Sequence, residues 1–209
     1  KTIVATIIAK KLFNHNLNKY NHINNTLFVV PVTILSEWKK VVEDFRLPNA
    51  EFIPNRSFHK IKNPEKYDLI VYGLLDSHTS LSSNGGIRLD SYVYTVEAFR
   101  EARKRLKDNG IIHLSFTTMN PALGQKFYLM LKDAFDGKPP LAYKVGADTH
   151  SISGHTFVAG EFVQEPSDLQ TDMYINLSKQ FKSGEFYADK STDDWPFLYM
   201  PVRKYPTSY

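Results

Sequence analysis

At 209 residues the chain is long enough for one good-sized core or two small ones, and its 12 tyrosines and 14 phenylalanines argue against disorder. It has no cysteine, which excludes disulfides, zinc–thiolate centres and cysteine catalysis. The net charge of +4 is uneven: residues 1–67 hold 11 Lys and Arg against 5 Asp and Glu, and residues 68–209 hold 15 against 17.

A basic first third suits a polyanionic partner, with weak, sequence-independent nucleic-acid binding as the expectation and ordinary surface charge as the alternative. Residues 1–17 read as a helix with Ile3, Ile7, Ile8 and Leu12 on one side. An asparagine-rich stretch, residues 14–25, reads as an exposed loop. Residues 26–31, TLFVVP, form an apolar strand. Thr33 is placed to cap a helix in which Leu35, Trp38, Val42 and Phe45 recur at helical steps, and Pro48 ends it. Residues 51–53 suggest a short strand, and residues 55–65 a polar connection.

Residues 67–116 read as strand, long polar loop, helix and strand. Leu69, Ile70 and Val71 form the apolar run of a parallel strand buried on both faces. Val96, Phe99, Ala102 and Leu106 make a helical stripe, with Thr95 as its cap and Asn109-Gly110 as its end. Residues 111–116 are the next strand. A right-handed crossover puts the loop between them at the carboxyl edge of the sheet, where open α/β folds bind ligands. Asp76, His78, Arg88 and Asp90 are the loop's chemistry.

Asn120-Pro121 opens another helix, with Leu123, Phe127, Met130, Leu131 and Ala134 as its buried face. Residues 141–145 and 156–163 suggest strands, residues 172–181 a last helix, and residues 191–200 an acidic, aromatic segment. The expected fold is α/β and Rossmann-like: a mainly parallel sheet flanked by helices, with a C-terminal antiparallel hairpin. None of the seven histidines has a metal-binding spacing, and no metal site is expected. His78 is the histidine to follow; the others read as surface or core. No apolar run approaches the ~20 residues of a membrane-spanning helix, and no secretory signal is visible. The chain starts without Met and reads as a fragment. The expected location is cytoplasmic, with membrane attachment left open for a longer chain.

The wording of residues 67–209 resembles the spermidine synthase-like proteins, the aminopropyltransferase branch of the methyltransferase-like fold. YDLIV, then Asp76-Ser77-His78, then RLDSYVYTVEAFREARKRLKDNGIIHLSF carry the likeness, and STDDWPFLYMPVRKYP resembles the membrane-associated members. The resemblance implies a transferase that takes an S-adenosylmethionine-type nucleotide and a polyamine, with Asp76 as the catalytic carboxylate. His78, Asp90, Asp193 and Asp194 would border the cationic substrate. Members carry two acidic residues three apart, then Pro, at the strand end. Here those positions are Gly73, Asp76 and Ser77, so the first carboxylate is lost. The family's glycine-rich cofactor loop lies on the first strands, and residues 1–66 hold no strand–GxGxG–helix pattern. A loop-capping Asp76 and a solvated turn at Asp193-Asp194 are the plain alternatives.

Residues 1–66 resemble something else. KTIVATIIAKKLF and TLFVVPVTILSEWKKVVEDF are similar to a truncated ATPase segment of superfamily 2 helicases of the Swi/Snf type. That resemblance implies ATP and magnesium, with Lys1 on the phosphates and Thr2 on the metal. The glycine loop that should precede them is absent, as is an acidic box. The functional expectation is therefore a spermidine synthase-like aminopropyltransferase, incomplete or inactive in this form. Alternatives are a fragment of an ATP-dependent DNA helicase or translocase, and a non-catalytic binding module.

Overall fold

The computed structural model describes residues 2–54, 57, 65–73, 89–117, 120–145, 154–165 and 174–203. Its centre is one seven-stranded sheet. In chain order the elements are α1 (Thr2–Tyr20), β1 (Thr26–Val30), α2 (Leu35–Asp44), β2 (Ala50–Pro54), β3 (Tyr67–Tyr72), α3 (Val96–Arg103), β4 (Leu106–Thr117), α4 (Pro121–Ala134), β5 (Leu141–Val145), β6 (Gly154–Gly160), β7 (Tyr174–Asn176) and α5 (Ser178–Ser183). The strand order is β2-β1-β3-β4-β6-β5-β7. β2, β1, β3 and β4 are parallel, and β6, β5 and β7 add antiparallel pairings. The expected α/β fold with its antiparallel hairpin is thus found. β1 and β2, from the basic first third, hydrogen-bond into the same sheet as β3 and β4.

Burial explains the two helical layers. In β3 the side chains of Leu69 and Val71 join Phe28, Val30, Ala5, Ala9, Phe13, Trp38 and Val42, so α1 and α2 cover that face. Ile70 and Tyr72 point the other way, into the larger cluster with Phe99, Ala102, Leu123, Phe127, Met130 and Leu131 of α3 and α4. A strand buried on both sides needs no polar alternation, which is why LIVY and LFVV read as continuous apolar runs.

Local signals set several boundaries. Asn120 caps α4 by accepting a hydrogen bond from Ala122 N at 2.8 Å, with Pro121 in the first turn. Thr95 caps α3 by accepting from Ala98 N at 3.1 Å. Other expectations need correction. α1 runs on through the asparagine-rich stretch to Tyr20. Thr33 lies inside a 3-10 turn, Val32–Ile34, and no side chain caps α2. Leu106 belongs to β4: Tyr67 is its strand partner, whereas Leu69 already pairs with Ile111. Residues 107–110 are therefore a bulge in β4, and Asn109-Gly110 ends no helix. The expected helix over residues 172–181 is a short strand, β7, followed by the single turn and a half of α5.

Candidate functional site

The crossover from β1 to β2 runs outward on one side of the sheet, and the one from β3 to β4 runs outward on the other. The boundary between β1 and β3 is the switch point, and its carboxyl side is where such sheets take ligands. Gly73 lies there, its N–H donating to Val29 O at 3.1 Å. A Cβ built on Gly73 would stand 2.6 Å from Cζ2 and 3.1 Å from Cη2 of Trp38. That is inside van der Waals contact, so the indole occupies the space any side chain would need. Trp38 is 2% exposed and packs on Phe28 with ring centroids 5.6 Å apart. The strand end that the family resemblance furnishes with a carboxylate is here a glycine under an aromatic ring.

The other half of the switch point is equally plain. β1 ends at Val30, and Pro31 leads straight into the 3-10 turn and α2. A glycine-rich turn would offer a nest of backbone N–H groups to a nucleotide. Pro31 has no N–H, and the residues after it are Val32, Thr33 and Ile34. These residues do not fit the nucleotide cradle that the resemblance implies.

A C-terminal segment, residues 189–201, crosses the same edge. Val96 N, at the start of α3, donates to Ser191 O at 3.0 Å. Thr95 Oγ1 donates to Asp193 Oδ1 at 2.7 Å, and Asp193 N donates to Glu97 Oε2 at 3.0 Å. Asp193 is thereby bound to the first turn of α3, and both it and Asp194 beside it are exposed. From α4, Lys126 reaches the same segment. It is fully buried and donates to Ser191 Oγ, Phe197 O and Met200 O at 3.3, 3.0 and 2.6 Å. Burial pushes its pKa down to about 8; the charge of Asp189 partly opposes this and that of Arg203 adds to it. Beneath lie Tyr94, Phe116 and Phe127, in mutual edge-on or tilted contact at 4.8 to 5.5 Å. Sequence reading missed Lys126. Its signal was a lysine three residues after Leu123 and one before Phe127, inside the apolar face of α4.

Of the sequence-predicted residues, Asp76, His78 and Lys1 lie outside the described residues. Asp90 sits in a 3-10 turn, Leu89–Tyr94, that leads to Thr95. Thr2 opens α1. Asp193 and the turn holding Asp90 therefore both lead to the start of α3. Among the described residues no group of three or more His, Asp or Glu is placed to hold a metal ion, and no helix is long and apolar enough to cross a membrane.

A polar cluster that the sequence did not single out lies at the opposite, amino edge. Asp68 accepts from His22 Nε2 at 2.7 Å, Lys107 Nζ at 2.8 Å and Asn25 N at 2.8 Å. Burial raises the pKa of Asp68, but the hydrogen bonds from Lys107, Asn25 and His22 and the charge of Lys107 outweigh it and hold the carboxyl below its ordinary 3.8. The bulge of β4 delivers Lys107. The cluster borders a cleft of about 710 Å³ walled by Leu12, Tyr20 and Ile111.

No family model matches the chain, and no curated protein matches it in sequence. Solved structures do match. A probable spermidine synthase from Corynebacterium glutamicum superposes with a TM-score of 0.55 at 14% identity, covering 92% of this chain and 72% of that one. A spermidine synthase from Thermotoga maritima gives 0.42 at 13% identity, covering 79% and 66%. Human methyltransferase-like protein 13, in complex with SAH, gives 0.47 at 13% identity, covering 97% and 94%. The first of these carries the comparison: the chain has an α/β fold like that of the probable spermidine synthase. The helicase-like reading of residues 1–66, with its ATP and magnesium, gains no support.

Proposed function

We propose that the chain is a spermidine synthase-like protein that binds a small polycation at the carboxyl edge of its sheet and has lost aminopropyl transfer. The observation that carries this reading is Trp38 seated on Gly73. Transfer needs the attacking amine to be held and deprotonated by carboxylates. One of the two strand-end positions is Gly73, and the indole leaves no room there for a replacement. The turn after β1 lacks a glycine cradle, so an S-adenosylmethionine-type nucleotide is not expected to bind tightly. Binding a polyamine asks less: an acidic rim attracts it by charge. The resemblance makes Asp76, Asp90 and Asp194 the candidates for that rim and His78 a further one, and Asp193 is tied to α3.

Calorimetry with spermidine and with putrescine tests the binding half, on wild type and Asp76→Asn. The expected result is micromolar-to-millimolar affinity that weakens as salt rises and falls in the variant. Equal affinity in both proteins would reduce Asp76 to a loop cap. An aminopropyl-transfer assay tests the other half: no product is expected, and robust product formation would overturn the reading of Gly73.

A further inference from the structure

The cleft at the amino edge is bordered by Asp68, and the hydrogen bonds of that carboxylate fix the state of His22. Asn25 N and Lys107 Nζ both donate to Oδ2 of Asp68, and His22 Nε2 lies 2.7 Å from Oδ1. A carboxylate only accepts, so the imidazole donates through Nε2. In the neutral ring Nδ1 is then a bare acceptor, and it makes no hydrogen bond among the described residues. The His22 side chain is 43% exposed and lines the cleft. Two more free acceptors line it. Asn16 donates through Nδ2 to Asn24 Oδ1 at 3.0 Å, which leaves its own Oδ1 open. Asp108, delivered by the bulge of β4, is exposed and makes no hydrogen bond or ion pair among the described residues.

We propose that this cleft is a second site, separate from the carboxyl edge, for a small primary amine with an apolar body. The three N–H groups of an ammonium match His22 Nδ1, Asn16 Oδ1 and the Asp108 carboxylate. The balance of charge points the same way. Lys107 is matched by Asp68 at 2.8 Å, which leaves Asp108 unmatched. Tyr20 ends α1, and the carbonyl end of that helix adds partial negative charge beside the cleft. Leu12 and Ile111 form an apolar wall for the body of the ligand. A cleft of about 710 Å³ is ample for such a molecule. An anion would face the unmatched carboxylate, and a purely apolar molecule would strip water from three acceptors and give nothing back.

Benzylamine, benzyl alcohol and benzoate share one body and differ in their head group, so titration with each, followed by NMR at about pH 8, tests the site. Benzylamine is expected to saturate in the millimolar range and to shift the side-chain signals of His22 and Asn16. Benzyl alcohol should bind at least about tenfold more weakly, and benzoate should not bind. Asp68→Asn is the sharpest variant. Its amide oxygen stays with Asn25 N and Lys107, so its NH2 group faces His22 Nε2 and moves the imidazole proton to Nδ1. The ring-nitrogen shifts of His22 report that exchange, and benzylamine affinity should fall at least about tenfold. Should that variant not fold, Asp108→Asn breaks no bond of the fold; it should weaken benzylamine by about two- to fivefold and leave benzyl alcohol unchanged. Equal affinity for amine and alcohol overturns the proposal, as does an amine affinity that neither variant lowers. The site does not depend on the polycation reading at the opposite edge. Asp76→Asn should leave benzylamine binding unchanged, and a loss there would move the amine to the carboxyl edge and overturn the proposal.

Discussion

Gly73 and Trp38 are a single packing arrangement shared by two residues. Trp38→Ala would leave a cavity under β3 and is expected to destabilise the protein by about 3–5 kcal/mol. Gly73→Asp would force the indole aside and is expected to cost about 1–3 kcal/mol. Their combination should fall well short of the sum, because the smaller residue makes room for the larger. Urea denaturation of the four proteins measures this, and strict additivity would mean that the indole is not what fills the site. That position 73 is a glycine where the resembling family carries a carboxylate could be read from sequence alone. What replaced it could not: a helical stripe says that Trp38 is buried, not which strand end it meets. The same limit hid Asp68, whose three donors come from three distant stretches. Its folded pKa lies below 3.8, so its contribution is present above that pH and is lost as pH falls through the folded value. Asp68→Asn should therefore be less stable than wild type near neutrality, by about 1–3 kcal/mol. The gap should narrow as pH falls below 3.8. Chemical denaturation at pH 7 and pH 3 checks this, and a gap of unchanged size at pH 3 would remove the carboxylate's charge from the explanation.

The side-chain caps of α3 and α4 were legible in the sequence, whereas α2 was read as a helix but given a cap, Thr33, that it does not use. Asn120 and Thr95 were both read from sequence, and both accept the expected backbone N–H. Asn120→Ala should cost about 1 kcal/mol. Thr95→Ala should cost more, about 2 kcal/mol at the upper end of cap effects, because Thr95 Oγ1 also donates to Asp193. Equal losses in thermal or chemical denaturation would mean that the tie to Asp193 contributes nothing. The boundary between α3 and β4 was misread for a definite reason. Leu106 continues the helical stripe at the correct step, yet Lys66 N and Tyr67 N both donate to Arg105 O and draw the chain into the sheet. Pairing with a strand about 40 residues away overrode a local period. The bulge that follows is invisible to periodicity, since its four residues pair with nothing on β3.

For the whole molecule, the α/β class followed from apolar runs, caps and spacing, and the antiparallel hairpin from the family resemblance. The place of the first third did not, because its wording pointed to another family. In the structure β1 is an inner strand, bonded to β2 on one side and β3 on the other. A chain reduced to residues 67–209 would expose the face of Leu69 and Val71 and one full edge of β3. It is expected to be aggregated or molten, without the near-ultraviolet circular dichroism of a packed core. A monodisperse, cooperatively unfolding fragment would make the first third an accessory. The inner position of β1 also bears on synthesis. Leu27, Phe28, Val29 and Val30 leave the ribosome well before Tyr67–Tyr72, the strand that closes their second edge. At ordinary elongation rates of about 5–20 residues per second, that edge stays open for several seconds. The nascent protein is thus sticky early and sealed late, so its yield in cells should depend on chaperone capacity more than its final stability suggests.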